Sequence, residues 1–120
     1  MIRLTTEVAS DETKYIPAPC RGVVCGAKAA WQTSAVEPND TIILSRDTTA
    51  VCTITAVNTA GLDVETGVRD ATNPDLIFDP NSTIATETVI KVIANGDAGI
   101  ALLTVEFDDY AYTEQTASEA

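Results

Sequence analysis

The sequence predicts an all-β fold, a single-domain β-sandwich of six to eight antiparallel strands. Three observations carry that prediction. The chain is rich in Thr and Val and has no run of Ala, Leu, Glu and Lys of the kind that builds helices. Turn residues recur at roughly ten-residue spacing along most of it, the pattern of a sandwich, jelly roll or small barrel. Finally, the stretch from Glu87 to Asp109 holds two runs, Val89 to Ala94 and Ile100 to Phe107, separated by Asn95-Gly96-Asp97-Ala98-Gly99. Glycines tolerate φ > 0, so this punctuation predicts a hairpin. Ile100, Leu102 and Thr104 share one parity, and Ala101, Leu103, Val105 and Phe107 the other. A strand apolar on both parities is expected to be covered on both faces, at the centre of the sandwich or in a subunit contact.

The elements follow in order. Ile2 to Val8 alternates as a strand or arm, and Ser10-Asp11-Glu12-Thr13 breaks it. Lys14 to Pro19 is extended, because each proline fixes φ and biases its predecessor away from helix. Pro17 and Pro19 lie too close for a central strand and predict a sheet edge or a subunit rim. Gly22 to Trp31 reads as a long strand with Val23, Cys25, Ala27, Ala29 and Trp31 on its core face. Glu37-Pro38-Asn39-Asp40 turns the chain into Thr41 to Arg46. Asp47-Thr48-Thr49 leads to Ala50 to Val57, where Cys52, Ile54 and Ala56 face inward. Residues Leu62 to Ser82 form a long connection with short strands near Leu62–Val64 and Leu76–Phe78, of the kind that crosses between sheets. After Asp109 the periodicity ends, and the last six residues read as a polar tail. The predicted organisation is therefore an N-terminal strand or arm over 1–12, a sandwich over 13–109 and a tail over 110–120.

The chain has 120 residues, enough for one core without staples, and a formal net charge of −11. Such an excess of carboxylates repels phosphate backbones, so nucleic acid is not an expected partner. A membrane is not expected either. There is no basic amphipathic helix, no run near the ~20 apolar residues of a span, and no apolar leader in Met1 to Glu7. Cys20, Cys25 and Cys52 are odd in number and form no CxxC, which predicts reduced thiols made in a cytoplasm. Asn81-Ser82-Thr83 matches a glycosylation sequon and carries little weight without a secretory route.

Chemistry is sparse. There is no histidine, which removes the commonest general base and zinc ligand. No phosphate-binding glycine loop or dinucleotide fingerprint is present. A nucleophilic cysteine needs a base or a cation beside it. Arg21 next to Cys20 is the single hint of one, and all three cysteines are expected to pack as small hydrophobes. Asp63, Glu65, Asp70, Asp75 and Asp79 crowd the irregular region, and Asp108 and Asp109 end the last strand. Oxygen-rich loops of this kind can hold calcium, and carboxylate pairs can hydrolyse glycosides. No Asp-x-Asp-x-Asp-Gly loop occurs, so solvated carboxylates are the expectation, with no catalytic residue, cofactor or metal. Trp31, the single tryptophan, is expected to anchor the core, against a ligand-stacking role.

The chain resembles the jelly-roll decoration (cement) proteins of tailed-phage heads. The resemblance rests on the entry Lys14-Tyr15-Ile16-Pro17-Ala18-Pro19-Cys20-Arg21-Gly22-Val23-Val24, on Thr41-Ile42-Ile43-Leu44, and on Ala50 to Val57 after its turn. It continues through Val89-Ile90-Lys91-Val92 and a small-residue turn into Ile100-Ala101-Leu102-Leu103-Thr104-Val105. It spans about residues 13 to 108; the three cysteines and the acidic balance are not part of it. It implies a jelly roll that stands as a homotrimer on the outer surface of a virion, binding the major capsid protein and stabilising the head. Within that expectation the partner-binding candidates are Ile2 and Leu4 in the first strand, Tyr15, Pro17 and Pro19 at the rim, and Tyr110 and Tyr112 in the tail. Ile2 to Val8 or the Tyr110–Tyr112 segment would add as a strand to a neighbour. The reading from another class is a carbohydrate-binding or adhesion sandwich, with or without stabilisation by calcium, with Trp31, Tyr15, Tyr110 and Tyr112 as its only stacking platforms.

Overall fold

The computed structural model describes residues 1–32, 40–57, 63–72, 76–96 and 100–109. Two antiparallel sheets pack face to face. One holds β1 (Ile2–Ala9), β10 (Ile100–Asp109), β3 (Gly22–Trp31) and β6 (Asp63–Thr66) in that order, with β8 (Ile77–Phe78) also paired to β3. The other runs β2 (Thr13–Pro17), β9 (Val89–Asn95), β4 (Thr41–Arg46), β5 (Thr49–Thr55), β7 (Val68–Arg69). Among the described residues a single 3-10 turn, Ala85–Glu87, precedes β9.

The pairing defines a jelly roll. β4 pairs with β5, β3 with β6, β2 with β9, and β1 with β10, all antiparallel. The chain is thus a long two-stranded ribbon closed at the β4–β5 turn, whose successive pairs lie in alternate sheets. Asp47 holds that turn with φ 56°, a conformation aspartate tolerates better than most side chains.

Strand alternation builds the core. Ala101, Leu103, Val105 and Phe107 of β10 are buried, as are Ile90, Val92 and Ala94 of β9 and Ile42 and Leu44 of β4. Trp31 is only 4% exposed and sits in the core cluster, as expected of an anchor. Two bulges adjust the pattern. Register slips between Glu106 and Phe107 of β10 against β3, which leaves Cys25 as the extra residue and turns Val24, not Cys25, into the core. A second slip at Leu44/Ser45 brings Val51 inward beside Cys52. Sequence parity alone placed Cys25 on the core face; the structure half-buries it, with its Sγ 3.3 Å from the Glu106 carbonyl it donates to.

The central stretch departs from its expected form. Val89–Asn95 and Ile100–Asp109 are not a hairpin, because β9 and β10 pair in different sheets. The chain therefore changes sheet between Asn95 and Ile100. Each strand is nonetheless interior to its sheet, β9 between β2 and β4 and β10 between β1 and β3. The irregular segment also crosses, since β6 and β8 join one sheet and β7 the other. At that crossing a Cβ on Gly67 would lie 2.5 Å from Cys52 Sγ, so only glycine lets the chain pass so close to the core.

Candidate interaction surface

Strand register sorts the candidate residues. In β1 the even positions face inward. Ile2 and Leu4 pack against the core and Val8 is buried, while Arg3, Thr5 and Glu7 are exposed. β1 is therefore an edge strand of the sandwich itself, paired with β10 from Ile2 to Ala9. β2 is the edge of the other sheet, where the two prolines belong. Tyr15, Pro17 and Pro19 are exposed there, and Tyr15 is 61% exposed. A hollow of about 110 Å³ beside it is lined by Tyr15, Asp47, Thr86, Val89 and Lys91. Tyr110 and Tyr112 lie outside the described residues.

The outward side of the first sheet carries residues that sequence periodicity only half revealed. Ile100 and Leu102 are each 38% exposed, although the opposite side of the same strand is buried. The expected cover on both faces is thus present on one. Register sets Leu102 opposite Ala30 of β3, and Ala30 opposite Val64 of β6. Val64 is 66% exposed. The result is an apolar strip across three strands, bordered by Glu7 of β1 beside Leu102 and by Lys28 and Glu106 on the neighbouring rows. Ala30 and Val64 were missed because each is a single apolar residue in an alternating strand. Only the pairing brings them beside Leu102.

The thiols are held protonated. Burial pushes the Cys20 thiol up, and Asp109 adds to the shift. Burial, with Asp108 and Glu106 behind it, does the same for Cys25. Burial, opposed by Arg69 and by a main-chain hydrogen bond at Thr53, takes Cys52 to about 11. The cation beside Cys20 is engaged elsewhere, since Arg21 Nε lies 3.7 Å from Asp79 Oδ2. Raised thiols are weak nucleophiles at neutral pH, so this arrangement favours packing over catalysis. Among the described residues, no group of three or more cysteine or acidic side chains is placed to hold a metal ion. No helix among them is long and apolar enough to cross a membrane.

These features define an all-β jelly-roll sandwich with an apolar strip on one solvent face and aromatic and proline side chains at one edge. Comparison with protein families, with curated proteins and with solved structures found no match.

Proposed function

We propose that this chain is a structural binding protein that sits on the outer surface of a phage capsid and stabilises the head by bridging major capsid subunits. The observation that carries the reading is the strip of Ile100, Leu102, Ala30 and Val64, an apolar surface on a chain of net charge −11. Solvent-facing apolar groups bordered by charges mark interaction surfaces. In this reading the strip packs between copies in a homotrimer, which would complete the cover on the second face of β10. The exposed edge at Tyr15, Pro17 and Pro19 then meets the capsid. A stable contact of this kind needs on the order of 800 Å² per partner. Several weak contacts per trimer would add through effective concentration, so a clamp of three copies holds where one does not. The jelly-roll order of strands and the resemblance to phage decoration proteins support the same reading. It calls for no catalysis, cofactor, nucleic acid or membrane.

The test is co-sedimentation with purified heads stripped of their minor proteins. Saturable binding at a fixed ratio to the major capsid protein supports the reading, and absence of binding across a range of salt removes it.

One observation favours a carbohydrate-binding module instead: Tyr15 is exposed beside a hollow bordered by Lys91 and Asp47. Stacking on a single ring is a weak platform, and a glycan array with wild-type and Tyr15→Ala protein decides between the two.

A further inference from the structure

The outer edge of β1 is long, unbroken and free of proline. Which of its main-chain groups face outward follows from their partners. Ala9 donates its N–H to Glu12 Oε1 at 3.0 Å and accepts from the Glu12 N–H at 3.2 Å. The Glu7 carbonyl accepts from Lys14 Nζ. Neither residue turns those groups to β10, so the odd positions of β1 point their N–H and C=O away from the sheet. Glu12 and Lys14 close the far end of the edge. Arg3 and Thr5, on the same parity, have no main-chain partner on that side among the described residues. Such an edge is a template for another strand.

Its side chains specify which strand. We propose that β1 pairs with β1 of a second copy in antiparallel register centred on Thr5, joining two sandwiches through one continuous sheet. An antiparallel strand centred on Thr5 places Arg3 opposite Glu7 of the second copy, and Glu7 opposite its Arg3. The edge is self-complementary in charge, as a twofold contact requires. Main-chain parity agrees with the centre: Thr5 points both its groups outward, so the two Thr5 residues exchange both bonds, and each Glu7 N–H reaches an Arg3 carbonyl. The Glu7 carbonyl also accepts from the Thr6 hydroxyl at 3.4 Å, and both that rotatable hydroxyl and the flexible Lys14 stem can move aside for the Arg3 N–H. Arg3 already lies 4.0 Å from Glu106 of its own chain, which is its neighbour on β10. In the pair Arg3 stands between two carboxylates, Glu106 and the incoming Glu7. On the inward side the half-buried Ile2 and Leu4 meet Val8 and Thr6 of the second copy. No other register does this: centring on Arg3 sets two guanidinium groups opposite each other, and centring on Leu4 sets Arg3 opposite Thr5 and Glu7 opposite Met1, which leaves both charges without a counter-charge. In a chain of net charge −11, copies repel each other almost everywhere else, so a balanced, complementary edge selects this contact.

This twofold contact is separate from the threefold packing of the strip proposed above, and it stands or falls independently. Sedimentation equilibrium at low salt tests it on the full chain carrying Ile100→Ser and Leu102→Ser, so that the strip cannot dominate association. The expected result is a concentration-dependent rise from one chain to two. Arg3→Glu alone and Glu7→Arg alone should each weaken association at least about tenfold, because each sets like charges opposite one another twice. The combined exchange, Arg3→Glu with Glu7→Arg, should restore it. Thr5→Pro removes the central donor at a position where an edge strand tolerates proline, and should abolish association while the thermal midpoint stays close to that of the parent. A monomer at all concentrations, or association that ignores Thr5→Pro, or an exchange that fails to restore it in a folded protein, overturns the proposal.

Discussion

Phe78 and Phe107 meet in the core with ring centroids 6.4 Å apart and planes inclined at 58°. Both are fully buried. The pair fastens the end of the irregular connection, through two-residue β8, to the central strand β10. Tilted aromatic pairs at this distance contribute about 0.5–1.5 kcal/mol beyond their buried area. Truncation of Phe78 to alanine should therefore cost about 3–5 kcal/mol, read as a shift of the urea midpoint with little change in slope. Phe78→Leu should cost clearly less. A Phe78→Leu variant as stable as wild type would show that the ring contact contributes nothing beyond its bulk.

Gly22 and Gly26 offer an internal comparison. A Cβ on Gly22 would lie 2.0 Å from the Asp108 carbonyl oxygen and 2.5 Å from Phe107 Cε1. Neither atom can retreat, since one is main chain in a paired strand and the other a packed ring. On Gly26 the nearest atom is Glu106 Oε1 at 3.2 Å, the end of a flexible side chain. Gly22→Ala should destabilise by about 1–3 kcal/mol or more, and Gly26→Ala by well under that. Thermal melts of the two variants check the order, and a reversal would mean that β3 and β10 do not approach each other as described.

The Cys52 thiol, raised by burial to about 11 from an ordinary 9.0, fixes a pH dependence. Its folded pKa exceeds its unfolded one. The neutral thiol therefore contributes stability that is fully present below pH 9.0 and is lost as pH climbs towards and through about 11. Urea midpoints of wild type should fall more steeply across that window than those of Cys52→Ala, in which other alkaline titrations are shared. Parallel curves would contradict the burial. A thiol reagent should also modify half-buried Cys20 and Cys25 before Cys52.

Local chemistry made most strands legible. Gly22–Trp31 and Thr41–Arg46 fall where alternation and turn residues place them, and Pro17 marks a true edge. What alternation cannot report is which strand lies alongside. Asn95-Gly96 has the residues of a hairpin turn, yet its flanks belong to opposite sheets, because partner choice is set by the whole ribbon and not by the turn. The bulge at Cys25 was hidden for the same reason: it exists only relative to β10. Among the candidate contacts, Ile2 and Leu4 turned inward by parity that the sequence did contain, while Val64 joined the strip through pairing that it did not.

The outward strip gives a prediction that separates stability from binding. Ile100 and Leu102 are each 38% exposed and so partly packed, and Ile100→Ser with Leu102→Ser should cost about 2–3 kcal/mol while leaving the chain folded. The same pair of changes should abolish the proposed homotrimer, and sedimentation velocity of wild type and variant reads whether that trimer forms through the strip.

The central claim meets its most direct test in rebinding to stripped phage heads. Wild-type protein should sediment with heads to a saturable, fixed ratio to the major capsid protein, and the loaded heads should withstand heating better than bare ones. The folded Ile100→Ser, Leu102→Ser variant should bind at least about tenfold more weakly, having lost the avidity of the trimer. If wild-type protein fails to bind heads, or if the variant binds and protects them as well as wild type, the strip is not the surface that makes this chain a capsid clamp.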